Sequence, residues 1–376
     1  MAPYQEAYEK KVCFTRAELY AFRPLKLKKG FSDSTTISLH DQVPVEAWLR
    51  LYNENGTMGE CPCSGRMEYF LKQIIDGERK SYREWYRLLH WEVRNCGFSG
   101  ETAVELGRLD LAFHDMLAKE EKLPLHRFLG AKRDWAAVYA SGMGTNLTIP
   151  EMEKQVQEFI DEGYTTFKMK AATDFGSRLD WDMERIRIVR SMIGSQSRLA
   201  VDVNQLWNAE EALKFARKIQ KYDIAWLEEP VHSYDMLELE KLTKECPIPV
   251  AMGESPRCYY PMESYVQAGV AHLQPIPSNL SSVKDWMDTQ SLARKHHLEL
   301  SSGGLSHLTA SFIATGLEED MVEYLKPVVG PLYDLMEKRP VEKDGKFYLP
   351  MEPGISMSPD IQALEKRKEF SSVTYY

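Results

Sequence analysis

Three acidic residues end short apolar runs and are evenly spaced along the chain. Asp202 ends the run RLAVD, Glu228 ends IAWLE and Glu254 ends VAMGE, so that consecutive members are 26 residues apart. This spacing matches one strand–helix unit, and strand side chains alternate between two faces. Carboxylates at equivalent places on successive parallel strands would meet at one edge, where they repel each other unless a cation neutralises them. An all-oxygen set predicts a hard divalent cation, most simply Mg²⁺ with open positions for substrate oxygens.

Two polar residues follow these acids, and a simpler origin of the pattern stays open. Asn204 and Glu229 are candidates for supporting the metal ligands or binding substrate, although helix capping or a surface role would also explain them. Asp and Glu are common after strands, so three unrelated acids are the alternative to a metal site. The equal spacing and the matching strand parity favour the metal site.

A pair of lysines ends the strand-like run TTFKMK, just before the Asp202 strand. Lys168 and Lys170 share one face of this strand and would lie beside the predicted metal. An ammonium group close to another cation has a lowered pKa, because the neutral amine relieves the repulsion, and a neutral lysine can act as a base. The alternative is that both lysines are counter-ions of the acids. The residues alone favour neither reading.

Short apolar runs alternate with amphipathic helical stretches from residue 134 to about residue 327. The strand-like runs are AAVYASG, TTFKMK, RLAVDVN, IAWLEEP, PVAMGES, AHLQP, LELSSGG and MVEYL. Eight such units predict an α/β fold, a (β/α)8-type (TIM-like) barrel of parallel strands, with an open doubly wound sheet as the alternative. In a barrel, the polar ends of these strands would share the carboxyl-terminal rim.

The two ends of the chain predict a second unit. Within residues 1–133, VPVEAWLRLYNENGTMGE predicts two strands around an Asn-Gly turn, and helical stretches follow. Residues 328–376 contain another hairpin-type turn in KDGKFY. We therefore expect an α+β capping domain, formed by the N-terminal region and the C-terminal tail, packed on a barrel of residues 134–327.

The composition argues against several classes of protein. The chain has 376 residues, of which 43% are hydrophobic, and its net charge is −9. No block rich in Lys and Arg stands out, so we expect no nucleic-acid partner. No apolar run approaches the roughly 18 residues of a membrane span, and the N-terminus has no hydrophobic signal segment. The six cysteines are scattered except for Cys61 and Cys63, which favours reduced thiols in a cytoplasmic protein.

The motifs KMK, DVNQ, LEEP and GES, in this order and spacing, resemble the enolase superfamily in its mandelate racemase/muconate lactonizing enzyme branch. The resemblance covers nearly the whole chain, because VEAWLRLYNENGTMGE, LDLAFHDMLAKEEKLPLHRFLG and PGISMSPD are similar to that family's capping domain. It implies removal of a proton α to a substrate carboxylate with the help of Mg²⁺. It also implies that Asp202, Glu228 and Glu254 are the metal ligands, that Lys170 is the base, and that Lys168 lowers the pKa of Lys170.

The sequence departs from the family pattern on the opposite side of the expected barrel. Many relatives carry an aspartate after strand six and a histidine after strand seven, where this chain has Ile276 and Gly303. Glu323 matches an acid that some relatives place after strand eight, where it can bind a substrate oxygen; a surface glutamate is the alternative. His232, after LEEPV, is a candidate for the missing acid group. With Lys170 as the only base, chemistry on one face is favoured over two-base racemisation.

The resemblance and the single base together predict a lyase. The expected reaction is dehydration of a sugar acid, an aldonate or an aldarate, to a 2-keto-3-deoxy acid. A lactone cycloisomerase or an epimerase of the same superfamily is the alternative, and a non-catalytic carboxylate-binding barrel is a third reading. The basic stretch RPLKLKKGFSDSTTISLHDQ would close on the small carboxylate substrate with Arg23 and Lys26, although a solvated strand edge explains these charges equally well. The resemblance also favours a homo-oligomer.

Overall fold

Eight parallel strands form a closed barrel in the computed structural model, which describes residues 3–376. The strands are Trp135–Gly142, Thr166–Lys170, Arg198–Asp202, Ile224–Glu228, Val250–Met252, His272–Leu273, Glu299–Ser302 and Met321–Tyr324. Each strand pairs with the next in chain order, and the eighth pairs with the first, Val322 lying opposite Val138. This closure confirms the predicted barrel and excludes the open sheet.

A helix follows each barrel strand and packs on the outside of the barrel. The helices are Ile149–Asp161, Leu179–Ile193, Ala209–Ile219, Met236–Glu245, Tyr260–Gln267, Val283–Lys295, Ser306–Ile313 and Lys326–Tyr333, and a 3-10 turn, Gln220–Tyr222, extends the third. Their inner faces are apolar, as Ala212, Phe215 and Ala216 illustrate in the third helix. Within residues 3–376, no helix is both long enough and apolar enough to span a membrane.

An apolar layer fills the barrel interior below the carboxyl-terminal rim. Tyr139, Ala200, Trp226 and Ala251 are buried together there. Ala200 and Trp226 precede two of the predicted metal ligands by two positions on the same strands. Because strand side chains alternate, those acids also point inward, one layer nearer the rim. The layer therefore forms the floor of a polar site.

The capping domain contains a four-stranded antiparallel sheet made from both ends of the chain. Its strands, in spatial order, are Phe370–Tyr375, Phe14–Phe22, Ala47–Asn53 and Met58–Cys63. The predicted Asn-Gly turn joins the last two, and Gly56 has a φ of +79°, a conformation that favours glycine. The cap helices are Pro3–Ala7, Met67–Ile74, Tyr82–Val93, Glu101–Glu120, Leu125–Phe128 and Ile361–Lys366.

The C-terminal segment is divided between the two units. The hairpin Val341–Lys343 and Lys346–Tyr348 pairs with the start of the first barrel strand, whereas Phe370–Tyr375 joins the cap sheet. Residues 328–376 therefore do not belong wholly to the cap. Three shorter antiparallel pairs are Lys11–Val12 with Lys80–Ser81, Met336–Lys338 with Ser358–Pro359, and Lys26–Phe31 with His40–Gln42. We call the last pair and its connection, residues 26–42, the cap hairpin.

Candidate active site

Lys170, Asp202 and Glu228 lie side by side at the ends of three neighbouring barrel strands. Asp202 is the pairing partner of Lys170 on one side and of Glu228 on the other. The ammonium of Lys170 ion-pairs with Asp202, and that of Lys168 ion-pairs with Glu228. Lys168 Nζ also lies 2.7 Å from Oε1 of Glu323 and 3.5 Å from Oδ2 of Asp202. The structure thus brings the predicted lysine pair and three of the predicted acids into one buried cluster.

Glu254 joins this cluster from two residues beyond its strand. The strand ends at Met252, and Gly253 has a φ of +138°. A Cβ atom on Gly253 would lie 2.8 Å from the backbone nitrogen of Gln274, so the chain approaches the next strand as closely as only glycine allows. The half-buried Glu254 then lines the same cavity as Lys170.

A buried arginine fixes the strand end that carries Lys170. Arg185, on the helix Leu179–Ile193, donates to the backbone oxygens of Lys170 at 2.8 Å, Met143 at 2.6 Å and Gly144 at 2.9 Å. It thereby joins the ends of the first and second barrel strands. The sequence reasoning missed this residue, although an arginine on the apolar face of an amphipathic helix was a usable signal.

Glu228 has both carboxylate oxygens engaged. Oε2 accepts hydrogen bonds from Trp226 Nε1 at 3.0 Å and Gln274 Nε2 at 2.8 Å, while Oε1 contacts Lys168. Because these donors come from its own strand and from the end of the sixth, the carboxylate is held in one orientation.

Asn204 and Glu229 both adopt backbone conformations that are unusual for residues with side chains. Their φ values are +46° and +41°, a strained geometry that is concentrated at functional sites. Asn204 Oδ1 is buried and has no hydrogen-bond partner, and the residue lines the cavity. Glu229 is buried and accepts hydrogen bonds from Gln205 Nε2 at 2.8 Å and Ser255 Oγ at 3.2 Å. Asn204 therefore offers an unpaired acceptor, and Glu229 is held by its neighbours.

The acids of the cluster outnumber its cations. Five carboxylates face the two ammonium groups, namely Asp202, Glu228, Glu229, Glu254 and Glu323. The pKa of Glu254 is raised by burial and by repulsion from Asp202. Burial and repulsion from Glu254 and Asp202 raise the pKa of Glu229 well above its usual value. Raised pKa values of this kind indicate a site short of positive charge.

Lys170 carries its proton in this environment. Burial alone would lower its pKa, but attraction by Asp202 outweighs both burial and the repulsion from Lys168, so the pKa is raised. Lys168 therefore does lower the pKa of Lys170, as predicted, but this contribution is smaller than the attraction by Asp202, and the net shift is upward. The sequence could not show this balance, because it depends on which lysine contacts which carboxylate.

The residues present fit a divalent cation of the Mg²⁺ type. Their donors are all oxygen, their charge is in surplus, and Asn204 Oδ1 lacks a partner. Within residues 3–376, no three acidic, histidine or cysteine side chains form a ready-made cage. Instead, the two lysines ion-pair with the carboxylates of Asp202 and Glu228, two of the residues that would hold a cation. Lysine and metal would therefore share these carboxylates.

A cavity of about 460 Å³ lies above the cluster, between the barrel rim and the cap. The barrel contributes Lys170, Asn204, Glu254 and Glu323, and the cap hairpin contributes Phe31, Asp33, His40 and Gln42. Its volume suits a small organic ligand. The sequence predicted that this hairpin would cover the site, but not which of its side chains would face inward.

Three residues predicted for the site lie outside both the buried cluster and this cavity. Arg23 and Lys26 are exposed, and neither contributes to the cavity wall. His232 is also exposed, and its Nδ1 accepts a hydrogen bond from the backbone nitrogen of Tyr234 at 3.2 Å. Cap and loop side chains depend on local loop geometry, which strand periodicity does not report.

The positions expected for an Asp–His pair hold no titratable side chain. Ile276 presents an apolar side chain to the cavity. A Cβ atom on Gly303 would lie 2.2 Å from Oε2 of Glu323, so Glu323 fills the space that a histidine would need. At Gly304, with a φ of +72°, a Cβ atom would lie 2.5 Å from Cγ2 of Ile276. This wall of the cavity is therefore closely packed without a second base.

His307, on the helix that follows the seventh strand, is a core residue and lies outside the cluster. Its ring stacks on Tyr333 with a centroid separation of 3.5 Å, and burial, with a smaller effect of Arg339, lowers its pKa to about 3. As the pH falls below the usual histidine pKa of about 6.5, His307 becomes protonated in the unfolded chain but stays neutral in the folded protein. The folded state then loses about 1.4 kcal/mol per pH unit through this residue, until its folded pKa is reached.

We therefore expect His307→Phe, which keeps the stacking but cannot titrate, to weaken the pH dependence of stability. Urea unfolding at pH 7.5 and 5.5 should show a stability difference about 1 kcal/mol smaller in the variant than in the parent protein. Equal differences in the two proteins would contradict a neutral buried His307.

Comparison with known proteins gives one family and one fold. The family model described as enolase C-terminal domain-like matches residues 151–363. A 3,6-anhydro-alpha-L-galactonate cycloisomerase of Streptomyces coelicolor is 24% identical over 77% of this chain and 79% of its own length. The L-talarate/galactarate dehydratase of Salmonella typhimurium is 27% identical over 74% of this chain and 69% of its own length. A crystal structure of that dehydratase with Mg and L-lyxarohydroxamate superposes with a TM-score of 0.85 at 22% identity, over 97% of this chain and 94% of the other.

Proposed function

The chain belongs to the enolase C-terminal domain-like family, and on this premise we propose that it is a Mg²⁺-dependent dehydratase of sugar acids. The observation that carries the proposal is the pairing of Lys170 with Asp202 beneath a small cavity whose opposite wall, at Ile276 and Gly303, lacks a second base. The reaction removes the proton α to a carboxylate and then the β-hydroxyl group. The product is a 2-keto-3-deoxy acid.

Asp202, Glu228 and Glu254 are the residues that would hold the metal, with Asn204 beside them. When bound, Mg²⁺ would neutralise the substrate carboxylate and the negative charge that develops as the α-proton leaves. The support within this chain is the surplus of buried acid, shown by the raised pKa of Glu254.

Lys170 is the proposed base. It must give up its proton and its contact with Asp202 before it can accept the proton from the α-carbon. Lys168 stays charged, because attraction by Glu228 and Glu323 outweighs the effect of burial and raises its pKa well above the usual value. Its permanent charge favours the neutral form of Lys170 and balances part of the acid cluster.

The two steps balance in protons and electrons. Lys170 takes the α-proton, and the electron pair of the broken C–H bond moves into the substrate carboxylate; it forms the double bond between the α- and β-carbons only as the β-hydroxyl leaves. The bond from the β-carbon to its hydroxyl then breaks, and the hydroxyl leaves as water with a proton returned by the Lys170 ammonium on the same face. The enol that remains becomes the keto acid by gaining a proton at the β-carbon and releasing the proton of its α-hydroxyl.

A lactone cycloisomerase is the second candidate function, favoured by the similarity to a cycloisomerase. This reaction also needs only one lysine as the base that removes the α-proton. The oxygen that then leaves the β-carbon would be a ring oxygen of the substrate. Epimerases are among the relatives too, but inversion needs acid–base groups on both faces of the α-carbon. A barrel that only binds carboxylates would have no evident use for the Lys168–Lys170 pair.

A panel of hexonates, pentonates and aldarates with Mg²⁺ tests the proposal. We expect at least one acid to yield a 2-keto-3-deoxy product, detected with semicarbazide and identified by NMR. Anhydro-sugar acids in the same panel test the cycloisomerase. Turnover of anhydro acids alone would replace the dehydratase by the second candidate, and the absence of any turnover would contradict both.

A further inference from the structure

Two arginines that the sequence did not single out line the same cavity as Lys170 and Glu254. Arg108 comes from the cap helix Glu101–Glu120, and Arg257 follows Glu254 by three residues. Both contact the loop that carries Ile276: Arg108 Nε donates to the backbone oxygen of Ser278 at 3.3 Å, and the backbone oxygen of Arg257 accepts from Ser281 at 2.6 Å. The two residues therefore belong to the same wall of the cavity.

Arg108 is held rigidly with donors to spare. Its Nη1 lies 2.7 Å from Oε1 of the buried Glu105, and only 12% of its side chain is exposed. Glu105 is itself fixed by the backbone nitrogen of Ser64 at 3.1 Å. A guanidinium has five N–H donors in a planar fork, and these contacts use two of them. The remaining donors stay available at the cavity wall.

Arg257 has a charge without a carboxylate partner. Its Nη1 donates to the backbone oxygen of Glu254 at 2.9 Å, and its Nε is buried without a hydrogen-bond partner. No acidic group of residues 3–376 lies within ion-pairing distance of its guanidinium. A partly buried and unpaired guanidinium is costly unless a ligand completes it.

We infer that Arg108 and Arg257 bind a second carboxylate of the substrate, so that the preferred substrates are aldarates and not aldonates. The inference rests on the proposed function, which puts the reacting carboxylate at the Lys170 end of the cavity. The arginines line the same cavity, so we infer that the other end of the sugar acid is the group they bind. A terminal carboxylate can accept paired charge-assisted hydrogen bonds from arginine. The terminal hydroxymethyl group of an aldonate is neutral, so it cannot balance the guanidinium charge.

The other charged groups of the cavity are compatible with this assignment. Asp33 and Glu101 also line the wall, and as acceptors they suit the hydroxyl groups along the carbon chain. Asp33 Oδ1 already accepts from Thr36 Oγ1 at 2.7 Å and from the backbone nitrogen of Thr35 at 2.9 Å, which spreads its charge within the cap hairpin.

The test compares binding of matched pairs that differ only in the terminal group, each aldarate against the aldonate of the same configuration. Titration calorimetry in the Lys170→Ala background with Mg²⁺ measures dissociation constants without turnover. We expect aldarates to bind at least about ten-fold more tightly than their partners. Arg108→Met should bring this ratio close to one, and Arg108→Lys should lower it less, because lysine keeps the charge but lacks the planar fork of donors.

Controls separate selectivity from folding. Arg23→Met changes an exposed arginine of the cap outside the cavity and should leave the ratio unchanged. Because Arg108→Met strands the buried Glu105, the double variant Glu105→Gln/Arg108→Met repeats the measurement without an unpaired carboxylate. Arg257→Met should also lower the ratio.

The outcomes distinguish this inference from the proposed function. A ratio near one in the Lys170→Ala protein, or a ratio unaffected by changes at both arginines, would overturn the second-carboxylate site even if aldonates are dehydrated. Aldarate binding that depends on Arg108, without loss of water in the Lys170-containing protein, would support the site and overturn the dehydratase.

Discussion

Replacing Lys170 with alanine is expected to lower kcat by at least about 10³-fold and to abolish exchange of the substrate α-proton with deuterated water. Lys170 lines the cavity with Glu254 and ion-pairs with Asp202. On the opposite wall, the apolar Ile276 occupies a position where a second base would be needed. Proton NMR of the substrate in deuterated buffer with Mg²⁺ follows exchange and dehydration in one sample. In the parent protein, exchange should be stereospecific, because one face of the α-carbon meets a base.

The exposed Lys26 supplies the matched control. Lys26→Ala removes an ammonium from the cap hairpin outside the cavity and should retain both exchange and turnover. Circular dichroism and thermal unfolding check that loss of the buried Lys170 ammonium has not unfolded the barrel. Near-parental exchange in Lys170→Ala would mean that another base acts. His40, the imidazole at the cavity wall, would then be the first residue to change, since His232 faces solvent.

The barrel and its acids could be predicted because both follow from periodicity. A strand–helix unit has a nearly constant length, so acids 26 residues apart return to the same height of the barrel. Strand parity then points Asp202 and Glu228 inward. The pairing of Asp202 with both Lys170 and Glu228 is the direct consequence. Glu254 needed the additional bend at Gly253, which the sequence shows only as a glycine.

The cavity wall could not be predicted, because no period governs it. Lys26 and Gln42 are paired across the cap hairpin, yet Gln42 faces the cavity and Lys26 faces solvent. Arg108 lies on a helix of the cap, distant in sequence from the motifs of the barrel, and reaches the site because that helix packs on the loop at Ser278. The direction of the Lys170 pKa shift could not be predicted either, because it depends on the balance of burial, attraction by Asp202 and repulsion from Lys168.

Replacing Asp202 with asparagine is expected to weaken Mg²⁺ binding by at least about 10²-fold and to remove activity. Asp202 is fully buried between Lys170 and Glu228, and its pKa is lowered to about 2, because attraction by Lys170 and Lys168 outweighs the effect of burial. It therefore stays ionised near neutral pH. The substitution therefore removes a carboxylate that is ionised at neutral pH from the predicted metal site.

Thermal unfolding with and without Mg²⁺ measures this effect without any substrate. A cation that binds only the folded protein raises the Tm of the parent protein, and the rise should vanish in Asp202→Asn. Glu229→Gln is the matched control: Glu229 is not one of the three predicted ligands and is held by hydrogen bonds from Gln205 and Ser255, so the rise should persist. A persistent rise in Asp202→Asn would place the metal elsewhere. Equal losses in both variants would mean that the whole acid cluster, and not Asp202 with Glu228 and Glu254, holds the cation.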